Sequence, residues 1–405
     1  MTISFPESHA ARVRPYWELD PAITFLNHGS FGACPKPVLD VQTALRVEIE
    51  REPVRFFARA LETLFHEALE ALAGFVGANV DDLAFVSNAT TGVNTVLRSL
   101  SFEPGDELLT TDHAYNACRN ALDFIAENAR ARVVVAAIPF PIESPDQVIA
   151  ALMERVTSRT RLVLIDHITS PTGIVFPVET IVPELESRGI DTLVDGAHAP
   201  GMIPLNLDAL GAAYYTGNCH KWMCAPKGAA FLHVRRDKQG RIRPLSISHG
   251  ANSQQTTLSR FRLEFDWTGT MDPTPWLAIP AALRFMSSLL PGGMAAIAHH
   301  NRQTALAARK LLAETLACAL PAPDSMIGSM AAISVPDANE RAPLGLLEFD
   351  ALQEGLFQRH RIEVPIVPFP RWPRRLVRIS AQIYNDPDDY RHLAKALVTE
   401  LDGRT

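Results

Sequence analysis

Apolar and polar positions alternate along most of the chain in a way that predicts strands and helices in turn. Short, nearly continuous apolar runs at 83–87, 107–110, 132–138, 161–166, 190–194 and 229–234 are bounded by turn residues, as expected of strands covered on both faces. Helical patterns lie between them at 146–158 and 178–188. Upstream, Phe57, Leu61, Leu64, Ala68 and Leu72 recur at spacings of 4, 3, 4 and 4, which predicts an amphipathic helix over 55–73 stopped by Gly74 and Gly77. Strand–helix alternation over about 200 residues argues for an α/β fold with a mostly parallel sheet, whose ligands bind at strand C-terminal ends.

Beyond Pro273 the pattern changes. Helices are expected at 274–290 and 294–319, broken by Pro291-Gly292-Gly293. Strand 327–335, helix 347–360, strands 362–367 and 376–381, and helix 387–400 then make a small α+β unit. A chain of 405 residues is too long for one small core, so two domains are expected: a large one over 26–273, and a small one from 1–25 together with 274–405. The hydrophobic share of 47% suits an ordinary globular enzyme, and a net charge of −7 argues against a nucleic-acid partner or a polybasic membrane surface. Residues 1–20 hold no apolar run of the secretory kind, and 133–138 is far too short to cross a bilayer. Cys34, Cys118, Cys219, Cys224 and Cys318 show no metal-like spacing, and free thiols in a reducing cytoplasm account for them.

The stretch from Thr192 to Lys221 carries the chemistry. An apolar strand ends at Asp195, a small-residue loop and a second short strand follow, and Asn218-Cys219-His220-Lys221 comes next, with the lysine 26 positions after the acid (221 − 195). Pyridoxal phosphate needs an amine to hold its aldehyde and an anion to keep its ring nitrogen protonated, so that the ring can accept electrons. Lys221 and Asp195 supply both. Taken singly, each also reads as a turn lysine or a capping acid. Asn88-Ala89-Thr90-Thr91-Gly92 opens a helix, whose free N–H groups and positive dipole end suit a phosphate, although simple capping by Asn88 or Thr90 also fits. The glycine-rich loop at 25–38 offers Asn27, His28 and Ser30 as either turn or site residues, and Pro37 is placed to open a helix. Arg378 has the planar fork that pairs both oxygens of a substrate carboxylate.

DGAHAPG followed by TGNCHKWMCAPKG resembles the class V branch of fold-type I pyridoxal-phosphate enzymes. The match is to the isopenicillin N epimerase-like group, with carbon–sulfur lyases of the hercynylcysteine sulfoxide type and cysteine desulfurases as relatives, and it runs over nearly the whole chain. The resemblance implies a seven-stranded, mostly parallel sheet in the large domain. It places the cofactor phosphate at Ala89, Thr90 and Thr91, with Asn218 and His220 adding donors from the other side. His113 is expected to stack on the ring, and Tyr115 to serve as a substrate-side acid. Ser170, with Thr169 beside it, is expected near the phenolic oxygen, and His198 on the ring or that same oxygen. The 25–38 loop is expected to reach the active site, so Asn27 and His28, with Arg55, join Arg378 as substrate contacts. Thr270 donates to the phosphate across a subunit boundary in such enzymes, which implies a homodimer; Met271 stands where a basic residue is common.

Three reactions at Cα of an amino acid stay open. Reprotonation on the opposite face gives an epimer, loss of a β-substituent gives a C–S lyase, and proton return to the cofactor gives an aminotransferase. The resemblance ranks them in that order. Epimerisation needs a second acid, a role that Tyr115 and His28 could each fill. Persulfide-forming desulfurisation ranks lower, because such enzymes use a cysteine on a late loop and none lies between Arg361 and Ile379. No G-x-G-x-x-G follows the first strand, which removes a dinucleotide dehydrogenase.

Overall fold

The computed structural model describes residues 3–342, 345 and 348–402. Its larger sheet has seven strands in the spatial order Leu83–Val86, Ala230–Val234, Tyr214–Asn218, Asp191–Gly196, Thr160–Asp166, Glu107–Thr111 and Arg132–Ala136. Only Ala230–Val234 runs against its neighbours, so the sheet is mostly parallel as expected. Alternate residues feed two separate cores. Val163 and Ile165 join the core on one face, while Leu162 and Leu164 join the core on the other. Burial on both faces is why the strands read as unbroken apolar runs.

A second, antiparallel sheet orders Ile366–Pro368, Arg375–Ser380 and Met330–Val335. The run expected as one strand at 362–367 is two. Ile362–Glu363 pairs in parallel with Thr24–Phe25 near the N-terminus, and only the later piece joins the small sheet. The chain therefore brings its first residues onto its C-terminal part. The expected helix at 347–360 runs from Ala351 to His360, and position 347 lies outside the described residues.

Two helix ends depart from the sequence pattern. The helix expected at 55–73 opens with Pro53–Arg55, widens through one π-turn at Phe56–Ala60, and continues as Leu61–Val76. Gly74 is carried inside it. Gly77 ends it in the left-handed conformation (φ 65°), its N–H bonding the Ala73 carbonyl, because only a residue without Cβ takes that backbone cheaply. The long helix of the C-terminal part, Gly293–Thr315, stops short of Cys318, which lies just past the turn at 316–317 rather than within the helix.

Candidate active site

Three adjacent parallel strands end side by side at the C-terminal edge of the large sheet, and they place Asp166, Asp195 and Asn218 around one cavity of about 620 Å³. Lys221 lines the same cavity. The turn that presents it is tied down from several sides. The Ala229 carbonyl accepts from the backbone N–H groups of Cys219 (3.0 Å) and His220 (3.1 Å), and from His220 Nδ1 (2.9 Å). The Lys221 carbonyl accepts from Cys224 N (3.0 Å) and faces His28 Nε2 (3.0 Å). From the other side, Gly32 (φ 69°) presses so close that a Cβ there would lie 2.1 Å from the His220 carbonyl oxygen.

The electrostatics favour a reactive amine. Burial lowers the Lys221 pKa to about 7, and Arg378 adds to the fall while Asp195 opposes it. Its Nζ lies 3.2 Å from His198 Nε2, a ring kept neutral chiefly by burial. Asp195 Oδ1 accepts from Ala197 N (3.0 Å) and Oδ2 accepts from the Cys118 thiol (3.1 Å). Burial raises both Asp195 and Asp166, the latter well above the usual carboxylate range.

Helix Ala89–Ser99 points its N-terminus at the cavity. Asn88 caps it by accepting from Thr91 N (2.8 Å), and Asn218 Oδ1 accepts from Ala89 N (2.8 Å). Thr90 N–H, in the first turn, has no acceptor within the helix. Asn218 keeps its amide nitrogen free to donate, and Thr90 and Thr91 both reach the cavity wall. Capping and an anion seat thus coexist in one turn. His220 differs from expectation in one respect. Its Nδ1 proton faces the Ala229 carbonyl, so the neutral ring offers the cavity an acceptor, and it donates there only as an imidazolium.

The remaining expected residues divide. Ser170 lines the cavity, and its carbonyl (2.5 Å) and hydroxyl (3.3 Å) both accept from Arg378 Nη1. Thr169 is folded into its own turn through Thr172 (2.6 Å). Arg378 stands behind the cavity wall rather than on it: it is 4% exposed, donates through Nη2 to the wall residue Ser30 Oγ (2.8 Å), and leaves Nε without a partner. Ser30 in turn donates to Asn27 (2.5 Å), which donates to Glu363 (3.0 Å), so Asn27 holds the loop and does not itself line the cavity.

His28 is fully buried beneath the lysine turn, with Nδ1 on Tyr384 (2.7 Å) and its pKa lowered to about 3 by burial; it braces the turn and does not reach the cavity. His113 is likewise buried off the cavity wall, with Nδ1 on Thr172 (3.0 Å) and its ring 4.5 Å from Phe369. The aromatic ring that faces the cavity from this segment is Tyr115. Arg55 pairs with Glu48 (3.2 Å) on an exposed helix, and Thr270 is exposed on a loop away from the cavity.

Residues that the sequence reading missed include Asp166 and Cys118. The signal for Asp166 was present, since RLVLID and TLVD are both apolar strands closing on an acid. Nothing in the sequence marked Cys118, which reaches Asp195 from a helix (Asn116–Ala129) that went unassigned.

An anion seat at a helix start, a buried amine at the cavity floor, a carboxylate on the neighbouring strand end and an unpartnered His198 Nδ1 together fit the phosphate, aldehyde and ring of pyridoxal phosphate. Fold and site define a fold-type I pyridoxal-phosphate enzyme. The chain belongs to the aminotransferase class-V family, which matches residues 42–390. It is 36% identical to the isopenicillin N epimerase of Amycolatopsis lactamdurans over 96% of this chain and 97% of that one. It is 30% identical to a probable chloroplastic L-cysteine desulfhydrase of Arabidopsis thaliana, over 93% of this chain and 83% of that one. Among solved structures, a mutant of C-DES with glycine covalently linked to its PLP cofactor superposes with a TM-score of 0.77 at 22% identity, covering 95% of this chain and 98% of that one.

Proposed function

We propose that this enzyme epimerises an amino acid, or an amino-acid residue of a small peptide, at Cα, and that it works as a homodimer. The observation that carries the substrate class is Arg378. It is a buried guanidinium with no acidic partner within salt-bridge distance among the described residues, its Nε bare and its fork turned to two serines of the cavity wall. A buried cation without a counter-ion is costly, and a substrate carboxylate relieves that cost while fixing the substrate's orientation.

The bound cofactor supplies an electron-accepting ring. The chain's own residues do the rest. Asp195 would supply the anion for the ring nitrogen, and the helix start at Ala89 with Asn218 would hold the phosphate. Lys221, with a pKa near 7, is available as free base at neutral pH to take the Cα proton from one face. Tyr115, on the same cavity, is the candidate for the second acid. The near full-length likeness to isopenicillin N epimerase favours this outcome. For the dimer, Thr270 and the 41%-exposed Met271 sit on a surface loop that a second protomer would cover.

Turnover in heavy water tests the reading: product of inverted configuration should carry deuterium at Cα. Absence of Cα exchange with every amino acid and amino-acid peptide offered rejects it. A C–S lyase is the second reading, favoured by the desulfhydrase relatives. Release of sulfide and pyruvate from cysteine, without epimerised product, would establish it.

A further inference from the structure

We propose that Asp166 stands as a neutral carboxylic acid beside Asp195, and that Asp166 and Cys118 together fix Asp195 as the single anion under the cofactor ring. The inference rests on the cofactor and is independent of which reaction the enzyme performs.

The geometry comes from strand register. Asp166 and Asp195 are Cα partners on adjacent parallel strands, so their side chains leave the sheet on the same face, about 5 Å apart. They are 2% and 3% exposed, and both line the cavity. Two ionised carboxylates at that spacing, out of bulk water, repel too strongly to coexist, so one keeps a proton.

Their surroundings decide which. Each Asp195 oxygen has a donor, the Cys118 thiol on Oδ2 and Ala197 N–H on Oδ1. The Asp166 carboxyl meets the backbone N–H groups of Tyr115 and Ser170, yet its Oδ1 is left buried without a partner. An anion is stable where donors face it, and a bare buried oxygen is better placed on a neutral acid, so the proton belongs to Asp166. The other groups facing the pair agree. Burial, then the two carboxylates, push the Cys118 thiol far upward, so it is present as a donor rather than a thiolate. Burial, then Cys118 and Asp195, likewise raise the Tyr115 hydroxyl and keep it protonated. Lys221 is the nearby cation that titrates near neutrality, and Arg378, its pKa lowered by burial to about 10, stays charged. One net negative charge thus faces the one positive charge of a protonated ring nitrogen.

Two independent measurements test this. Infrared spectra of the cofactor-free protein at fixed pH between 6 and 8, taken as wild type minus Asp166→Asn, should show the carbonyl stretch of a buried carboxylic acid that the variant lacks. Absence of that band in wild type overturns the proposal. In cofactor titrations, Asp166→Asn should bind within about threefold of wild type, because the amide copies a neutral acid, whereas Asp166→Ala should bind about tenfold more weakly, the worth of one hydrogen-bonding group. Equal damage from both substitutions also overturns it. Cys118→Ala removes a donor that holds the Asp195 pKa down, so loss of the bound cofactor's visible absorbance on acidification should move to higher pH, and Cys118→Ser should restore it. An unmoved acid limb in Cys118→Ala removes Cys118 from the unit.

Discussion

Replacing Lys221 by methionine removes the amine while keeping the shape of its stem, and the cofactor-free protein should respond in a pH-dependent way. The folded-state pKa is about 7 against an ordinary 10.5, so between these values the unfolded chain binds more protons than the folded one. Stability of the wild type therefore rises with pH across that window, and the burial penalty is full below about pH 7 and gone above about 10.5. Integrating the linkage from pH 7.5 to 9.5 gives a wild-type gain of about 2.5 kcal/mol relative to Lys221→Met, an upper figure because water in the cavity screens the charge. Chemical unfolding of both apoproteins at a series of pH values measures the difference. Competitive labelling of lysine amines gives the same pKa directly. A stability difference that stays flat across the window, or a labelling pKa near that of exposed lysines, would refute the account of Lys221 as a desolvated amine.

Asn218→Ala should leave the buried Ala89 N–H without its acceptor, lowering stability by about 1–3 kcal/mol in unfolding assays and weakening cofactor binding in the same variant. Gly32→Ala places a Cβ 2.1 Å from the His220 carbonyl oxygen in a left-handed backbone, so a loss of about 2–4 kcal/mol is expected from thermal unfolding, with slower cofactor capture. Asp350→Ala strands Arg375, which is bound at 2.7 and 2.9 Å to both carboxylate oxygens in a buried pair, and should cost about 3–5 kcal/mol by denaturant unfolding.

The large sheet was legible because its strands are buried on both faces, and runs such as RLVLID admit no other reading once helical patterns flank them. Asp195, Asn218 and Lys221 were legible for a related reason: strand ends and the turn that follows are where an α/β sheet presents side chains to a ligand. What sequence could not decide is which face of a turn points inward. Asn27, His28 and Ser30 share one short loop, yet Ser30 alone lines the cavity, and a four-residue helical turn at His28–Phe31 makes that division. The same holds for His113 and Tyr115. They lie two positions apart, and the aromatic cluster of Phe140, Phe176 and Phe369 takes the histidine ring while the tyrosine faces the cavity. Those phenylalanines come from three distant segments, which no local pattern joins. The Cys118 contact with Asp195 spans 77 positions and was invisible for the same reason.

The brace under the lysine has a consequence for how the protein becomes active. His28 and Tyr384 meet across 356 positions of chain, so the turn that presents the amine cannot be secured until both extremities have come home. Contacts that distant form late, after the sheet interior has organised. Acquisition of colour from added vitamin B6 aldehyde during refolding should thus mark the last stage of maturation, lagging the return of secondary structure, and the chromophore becomes a built-in clock for assembly of the whole chain.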